Sequence, residues 1–388
     1  SNHTLGFHPE KAIPFGTPLA FPPNRRNDGE LLESQHNPLT LASGGPRKSA
    51  FTLNNRFTFH KKEKIMVAKH QMKNRNLSLQ ALEDRNMLAG NMIASLVGTH
   101  LSVGGDPLDN QVEIAEIAPN TIQVTGLAGT TVNGAPMQVF AASLIEDVSV
   151  QSGDGSDRIV IHDLSLTDTP NGNLKVFTNS GNDRIFMKNA TTSESIELDT
   201  GEHNDLIRAV KSGTDGKWTT NSGNGHDRVA MHTVKAKDMV VDMMDGDDRL
   251  KIWNAKIRND LSINTHTEND SVRIEKVVAG NNVLVRTDQG MDRVQMRGVS
   301  AGNDVGVDTG SESDSAFLNR VKARHDVIVR TGNGDDLLVM NQIKAVNHID
   351  VDTDLGDDRA YIMRAKAHDV YVQTGDGADN LYMSDVNT

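Results

Sequence analysis

Cysteine is absent from the 388 residues, which excludes disulfide bonds and thiolate metal sites. Aromatic residues make up only 4% of the chain, which disfavours a long groove for stacking sugars. No run of about 18 apolar residues occurs, so the sequence predicts no transmembrane helix. Seven of the eleven prolines fall in the first 46 residues, and only Pro170 lies beyond residue 140. This uneven distribution indicates that the chain is not one uniform body.

Aspartate, in contrast, is regularly spaced. A fixed period of about 22 residues is typical of solenoids, in which each repeat forms one coil stacked on the last. From residue 157 onwards the interval is 21 or 22 residues except for one of 26. The repeat aspartates are Asp157, Asp183, Asp205, Asp227, Asp248, Asp270, Asp292, Asp314, Asp336, Asp358 and Asp379.

Hydrophobic residues keep the same period. Two apolar positions lie two and four residues after each aspartate, and two more lie nine and seven residues before it. Of the 44 side chains in these four columns, 43 are apolar and Thr220 is the exception. Residues two apart share one face of a strand, so each coil has two short strands with one buried face. A third apolar position, as at Ala323 and Ala345, favours three flat sides per coil over two.

Two recurring turns separate the strands. One has the pattern Thr-Gly-x-Gly-x-Asp, complete at Asp336 and Asp379, where glycine supplies the left-handed backbone of a sharp corner. The other ends in Asp or Asn ten residues before the repeat aspartate, as at Asp304 and Asp326. The sequence therefore predicts an all-β fold, a parallel β-solenoid and most simply a right-handed β-helix. About eleven coils of 22 residues would fill residues 147–388.

The first 146 residues lack this repeat. Residues 1–71 carry ten Lys/Arg and five Asp/Glu, a net charge of +5 that leaves −17 for the remainder. Without a sustained period, we expect a disordered basic tail, which need not be native sequence because Met72 fits a translation start. Residues 72–100 are expected to be an export or targeting segment. Residues 101–146 are expected to be an N-terminal cap or degenerate coils.

The targeting prediction depends on one short run. Leu82-Glu83-Asp84-Arg85 is followed, after two residues, by Leu88-Ala89. It resembles the N-terminal Leu-Glu-Asp-Arg-x-x-Leu-Ala motif of large secreted and cell-surface proteins from planctomycete bacteria, where a repetitive β domain commonly follows. The resemblance covers residues 72–90 and implies export to an extracellular or cell-surface location. The apolar core of an ordinary signal peptide is lacking, and the alternative is a short amphipathic helix that caps the solenoid.

The Gly-x-Gly-x-Asp turn carries a second, more distant resemblance. It is similar to the Gly-Gly-x-Gly-x-Asp nonapeptide of repeat-in-toxin proteins, whose turn carbonyls and aspartates bind Ca²⁺ between coils. The resemblance makes calcium the one cofactor candidate. This chain departs from the family because it has one motif per 22 residues, and seven of its eleven coils lack a glycine. The alternative is a turn whose aspartate accepts backbone N–H bonds. The best matches, and the candidate metal ligands, are Asp157, Asp227, Asp336 and Asp379.

Two other patterns bear on ligands. An arginine follows the repeat aspartate in six coils, and strand alternation places its side chain on the outer surface. There it would face either solvent or an anionic polymer. The net charge of −17 favours solvent. A catalytic site would interrupt the repeat, so the least regular coil is the candidate for one. In that coil Trp218 lies in an apolar column, and no Ser, His and Asp are spaced as in a catalytic triad. The arginines are Arg158, Arg184, Arg228, Arg249, Arg293 and Arg359, and the irregular coil holds His203, Asp205, Asp215, Trp218 and His226.

The sequence therefore predicts an exported, non-enzymatic β-solenoid that acts as a structural or adhesive surface element. The alternatives are a carbohydrate-active β-helix enzyme (a polysaccharide lyase or hydrolase) and a calcium-stabilised repeat module. Expected partners are cell-envelope or extracellular-matrix components, and no nucleic acid. Self-association through the C-terminal coil, which has no recognisable cap, is a further expectation.

Overall fold

The eleven repeats fold into eleven stacked coils. The computed structural model describes residues 90–168 and 171–388, so the predictions for residues 1–71 and for Leu82–Ala89 fall outside that part of the chain. Coils 1 to 8 each have a first strand, a second strand beyond the turn that ends in the repeat aspartate, and a shorter third strand, and coil 11 has the first two strands. Strands of one kind pair in parallel from coil to coil. The predicted parallel β-solenoid of about eleven coils is therefore confirmed, with three sides to coils 1 to 10.

The strand lengths repeat as closely as the sequence does. The first strands are Asp147–Gln151, Asn173–Phe177, Ser195–Asp199, Lys217–Asn221, Asp238–Asp242, Leu261–Asn264, Val283–Arg286, Val305–Asp308, Val327–Arg330, His348–Asp352 and Asp369–Gln373. The second strands are Arg158–His162, Arg184–Lys188, Leu206–Val210, Arg228–His232, Arg249–Trp253, Ser271–Glu275, Arg293–Arg297, Ser315–Asn319, Leu337–Lys344, Arg359–Lys366 and Asn380–Ser384. The third strands are Ser165–Leu166, Thr191–Thr192, Gly213–Thr214, Lys235–Ala236, Lys256–Ile257, Val278–Ala279, Ser300–Ala301 and Lys322–Ala323, and in coils 9 and 10 the third strand is continuous with the second.

The four apolar columns form the core. Their side chains are buried throughout coils 1 to 10, and neighbouring coils meet in register, as where Val327 lies opposite Ile349. In coil 11 the same columns are more open, since Leu381 is 46% exposed and Met383 is 39% exposed. Each coil buries its apolar side chains largely against its neighbours, so the stability of the array is shared between coils.

Seven short elements precede coil 1. Two of them, His100–Gly104 and Gln111–Ala118, stack in parallel on the first and second strands of coil 1 and so form one additional coil. Asn91–Val97, within the segment predicted for targeting, pairs antiparallel with His100–Gly104. No helix in the described residues is long and apolar enough to cross a membrane. The elements are strands Asn91–Val97, His100–Gly104, Gln111–Ala118, Thr121–Gly126, Thr131–Val132 and Met137–Ala141, and the 3-10 helix Ala142–Leu144.

The corners of the coils need backbone with positive φ. At Gly334, in the turn before the second strand, φ is 139° and an added Cβ would lie 2.1 Å from the carbonyl oxygen of Glu312 in the previous coil. At Gly298, between the second and third strands, φ is 66° and no atom comes closer to an added Cβ than 4.0 Å. Side chains with positive φ occupy that second corner in other coils, for example Asn189 and Asn254. Gly334 therefore needs glycine for both conformation and space, whereas His203, Glu268 and Glu312 occupy the same position of other coils with φ between 74° and 87°.

Candidate functional site

The repeat aspartates form one continuous column of hydrogen bonds, which we call the aspartate ladder. Asp183 accepts, at Oδ1, the backbone N–H of Asp157 at 2.7 Å, and Asp379 accepts that of Asp358 at 3.0 Å. Every rung between them repeats the bond at 2.7 to 2.9 Å. Each carboxylate thus binds the turn of the preceding coil. Aspartate recurs at this position because its short side chain spans one coil spacing.

Asn110 occupies the position of the aspartate in the additional coil. Its backbone N–H donates to Oδ1 of Asp157 at 2.7 Å. Its side-chain Nδ2 donates to the carbonyl oxygen of Ser152 in coil 1 at 3.1 Å, and also to the carbonyl oxygens of Asp106 and Leu108. A neutral group with a donor therefore fits this position and finds a carbonyl acceptor in the next coil.

The second oxygen of most ladder carboxylates is buried. In the ten rungs from Asp157 to Asp358, Oδ2 is buried and has no hydrogen-bond partner in the described residues. Burial is the main cause of a raised pKa in nine of them, and it is only partly offset by the backbone N–H bonds and, in most rungs, by a nearby Ser or Thr hydroxyl. The pKa is raised to about 6 in Asp183 and Asp227, about 7 in Asp157, Asp292 and Asp336, about 8 in Asp205, Asp270 and Asp314, and about 9 in Asp248.

Threonine hydroxyls form a second ladder beside the first. The hydroxyl of Thr200 donates to the carbonyl oxygen of Ser222 in the next coil at 2.9 Å, and Thr309 donates to the carbonyl oxygen of Thr331 at 3.1 Å. These bonds link neighbouring coils at the corner next to the aspartate ladder. Inward threonines thus supply hydrogen bonds between coils at this corner.

The four candidate calcium ligands all belong to the aspartate ladder. Asp157, Asp227, Asp336 and Asp379 lie in coils 1, 4, 9 and 11, so no two of them are in adjacent coils. Where such a carboxylate binds a backbone N–H through Oδ1, only Oδ2 is left to a cation, whereas calcium takes six to eight oxygens. The assignment of calcium to these residues stays a prediction.

The outward side chains of the second strands form a basic face. These side chains lie one, three and five residues after each ladder aspartate, and Glu275 is the one carboxylate among them. Most of the cations are arginines, which suit carboxylate, sulfate and phosphate groups. The cations are Arg158, Arg184, Lys188, Arg208, Arg228, Arg249, Lys251, Arg273, Arg293, Arg297 and Arg359.

The outward side chains of the first strands have the opposite charge. These positions lie ten, eight and six residues before each ladder aspartate, and we call them the acidic face. Their cations are Lys175, Lys217, Arg286 and Arg330. The carboxylates on this face outnumber these cations. Positive and negative side chains that alternate along the sequence therefore lie on different faces of the folded chain. The carboxylates are Asp147, Glu197, Asp199, Asp238, Asp242, Asp260, Asp304, Asp308, Asp350, Asp352 and Asp369, together with Asp326, which is buried at its corner.

Aromatic rings lie among the cations of the basic face. The Arg158 guanidinium is 5.1 Å from the centre of the Phe186 ring, and that of Arg293 is 4.7 Å from Phe317. The Lys251 ammonium lies 5.3 Å from the Trp253 ring. Such contacts hold each cation over a ring while leaving its charge exposed to a ligand.

A cavity of about 620 Å³ opens on the basic face of coils 1 to 3, beside Phe186. At its edge, the Nε2 atom of His162 is 3.1 Å from a carboxylate oxygen of Glu113, and the Nδ1 atom is 2.9 Å from one of Asp163. The side-chain amide of Asn189, followed by His162, lowers the pKa of Asp163. The cavity therefore combines an imidazole held by two carboxylates with the cations Arg158, Lys188 and Arg208.

The residues of the irregular coil do not form one site. His203 and His226 lie in the turn before the second strand, outside the core, whereas Trp218 is fully buried. Asp205 belongs to the aspartate ladder, and Asp215 follows the third strand, where it forms an ion pair with Arg258. The expectation that Trp218 packs in the core is confirmed.

One cluster of possible metal ligands was not predicted from the sequence. Within the described residues, Asp304, His325 and Asp326 are the group whose ligand atoms all lie within 4.8 Å of one another. The Nδ1 atom of His325 is 3.0 Å from Asp304 and 2.9 Å from Asp326. Both carboxylates also accept backbone N–H bonds from the next coil, so they serve the corner itself. In the sequence, the sign of this cluster is that a His-Asp pair at one corner follows an Asn-Asp pair at the same corner of the previous coil.

Comparisons of the chain with protein-family models, with curated proteins and with solved structures find no match.

Proposed function

We propose that this protein is an exported, non-enzymatic β-solenoid that acts as a structural or adhesive element and binds cell-envelope or extracellular-matrix material. The observation that carries the proposal is the separation of charge between the basic face and the acidic face. In coils 1 to 7 the basic face presents one or two cations per coil, and such a repeated charged surface offers many similar contacts to an extended partner. Contacts that are weak singly then add up to firm attachment.

The negative net charge of the chain is compatible with an anionic partner. Electrostatic attraction depends on the local potential of the surface that a ligand meets, and less on the sum over all charges. The basic face has one carboxylate, Glu275, among many cations. Export is the part of the proposal supported by the run Leu82 to Ala89.

Co-sedimentation of the full chain with isolated bacterial cell-envelope material tests the proposal. We expect the protein to sediment at low ionic strength and to be released at about 1 M salt, where charge interactions are screened beyond about 3 Å. The variant Arg184→Gln with Arg249→Gln should bind less, and the matched acidic-face variant Lys175→Gln with Lys217→Gln should bind as the parent does. Failure of the parent protein to sediment would reject the adhesive function.

A second candidate function is that of a polysaccharide lyase, and the cavity beside His162 favours it. A lyase base removes the proton next to the carboxylate of a uronic acid, the glycosidic C–O bond breaks, a C=C bond forms, and the leaving oxygen takes up a proton. His162 would be the base once its Nε2 atom is released from Glu113, because both ring nitrogens contact carboxylates in this structure. Arg158, Lys188 and Arg208 would neutralise the substrate carboxylate. Ultraviolet absorbance of unsaturated products from polygalacturonate or alginate, abolished in His162→Gln, would establish it. No absorbance change with either polymer would exclude it for both substrates.

A further inference from the structure

Five exposed cations meet at one corner of coils 8, 9 and 10, and we call them the cationic cluster. Arg320 and Arg364 occupy the corner between the second and third sides of their coils, and Lys322, Lys344 and Lys366 lie on the third side. Together with Gln342 they line a cavity of about 500 Å³. No acidic or aromatic residue is among the residues that line it.

The three lysines are stacked in direct register. Lys322 lies opposite Lys344, and Lys344 lies opposite Lys366. Neighbouring strands are about 4.8 Å apart, and like charges directly opposite each other destabilise a sheet. None of the five cations forms a salt bridge with any residue of the described ranges 90–168 and 171–388. The fold therefore holds concentrated positive charge that the described chain does not neutralise.

Neutral amides hold the two arginines in place. The Nε atom of Arg320 donates to the side-chain oxygen of Gln342 at 2.9 Å, and that of Arg364 donates to the side-chain oxygen of Asn341 at 3.1 Å. These bonds orient each guanidinium without cancelling its charge. The terminal Nη groups keep their donors for an external acceptor, and their fork geometry suits a carboxylate, sulfate or phosphate.

We propose that the cationic cluster is a binding site for a linear acidic polysaccharide that runs along the solenoid and places successive anionic groups on successive coils. This inference rests on the proposed adhesive function and gives it a site and a ligand class. A single-stranded nucleic acid fits less well, because its binding uses aromatic rings on which bases stack and the cluster has none. Duplex DNA fits less well because a flat side of a solenoid does not enter a groove.

Titration of the full chain with immobilised polygalacturonate and heparin, two acidic polysaccharides that differ in carboxylate and sulfate content, tests the site. The variant Lys322→Gln, Lys344→Gln, Lys366→Gln should weaken binding at least about tenfold, and its affinity should depend less on salt. The control Lys175→Gln, Lys217→Gln, Lys237→Gln removes the same charge elsewhere and should change affinity less than about twofold. Circular dichroism and the melting temperature establish that both variants fold.

Three results would overturn the inference: equal binding by the cluster variant and the parent, equal losses in the two variants, or tighter binding to oligo(dT) than to both polysaccharides. Neutral dextran, which should not bind, controls for general carbohydrate affinity. The outcome is separable from that of the proposed function. A parent protein that sediments with envelope material, with no effect of the cluster variant on polysaccharide binding, keeps the adhesive function and rejects this site.

Discussion

Trp218 donates its indole N–H to the hydroxyl of Thr220, with 3.0 Å between Nε1 and Oγ1, and both side chains are fully buried. Thr220 is the one polar residue in the four core columns, and Trp218 is the largest buried side chain. The two facts explain each other, because a buried indole N–H needs an acceptor. The residue two positions along a strand faces the same side and can supply it.

Replacing Thr220 with valine should therefore destabilise the solenoid even though it makes the column uniformly apolar. Valine keeps the shape and removes the acceptor, and leaving the indole N–H unpaired should lower the free energy of unfolding by about 1–3 kcal/mol. Thr220→Ser keeps the hydroxyl and should lose less. Chemical denaturation measures both variants, and a valine variant as stable as the parent would show that this bond contributes nothing.

Glycine should be needed at Gly334 and dispensable at Gly298. In Gly334→Ala the new Cβ meets the Glu312 carbonyl at 2.1 Å and φ is 139°, so we expect a loss of at least about 2 kcal/mol. Gly298→Asn places a residue in a conformation that Asn189 and Asn254 already adopt, with open space around it. It should change stability by under about 0.5 kcal/mol. Equal melting temperatures for the two variants would contradict this account of the corners.

Stability should fall as the pH rises from 5 to 9. Burial raises the pKa of nine ladder aspartates to between about 6 and about 9, above the ordinary aspartate value of 3.8. Such groups bind protons more tightly in the folded chain, so their contribution is fully present below pH 3.8 and is lost as the pH passes through the folded pKa. The exposed Asp247 and Asp369 have lowered pKa values and act in the opposite direction at lower pH. Chemical denaturation at several pH values measures the net effect of all these groups on the free energy of unfolding. A rise in stability towards pH 9 would contradict the prediction.

The variant Asp248→Asn isolates one rung of the ladder. Asn110 shows that an amide fits this position and that its Nδ2 finds a carbonyl acceptor in the next coil. In the variant we expect the amide oxygen to accept the Asp227 N–H that Oδ1 of Asp248 now accepts, without a buried charge. At pH 8 we expect the variant to be more stable than the parent by on the order of 1–2 kcal/mol, and at pH 5 the difference should be smaller. The neighbouring Asp247→Asn is exposed and should give no gain at pH 8. A loss of stability for Asp248→Asn at both pH values would mean that the charged form is the native one.

Chelation of calcium should have little effect on the melting temperature. If the turns at Asp157, Asp227, Asp336 and Asp379 bound calcium, the ion at 100 times its Kd would add about 2.7 kcal/mol per site. The ladder bonds already use Oδ1 of these carboxylates, which leaves few oxygens for a cation. Differential scanning calorimetry with calcium and with chelator decides the matter. An increase above about 10 °C with calcium, abolished by Asp336→Ala with Asp379→Ala, would establish calcium sites.

The sequence predicted the coils well because parallel stacking places core residues at the same position of every repeat, where they form apolar columns in the aligned repeats. Val327 and Ile349 share a column in the sequence for the same reason that they pair in the fold. For residues 101–146 the sequence left a cap and degenerate coils as alternatives, since Asn110 replaces the aspartate and these residues keep no period. The separation of charge between the basic face and the acidic face was also missed. The net charge of −17 is a sum over both faces and does not show how the charges are distributed between them. The contact between His325 and Asp304 depends on a corner whose shape the spacing does not reveal.

The direction of the aspartate ladder implies an order in which the coils fold. Each carboxylate reaches back to the turn of the coil before it, as Asp183 does to Asp157. During synthesis the N-terminal coils emerge first, so a turn leaves the ribosome with its backbone N–H unpaired and receives its acceptor only when the next coil arrives. We therefore expect each new coil to stabilise the turn of its predecessor, so that coils fold in order from the N-terminus.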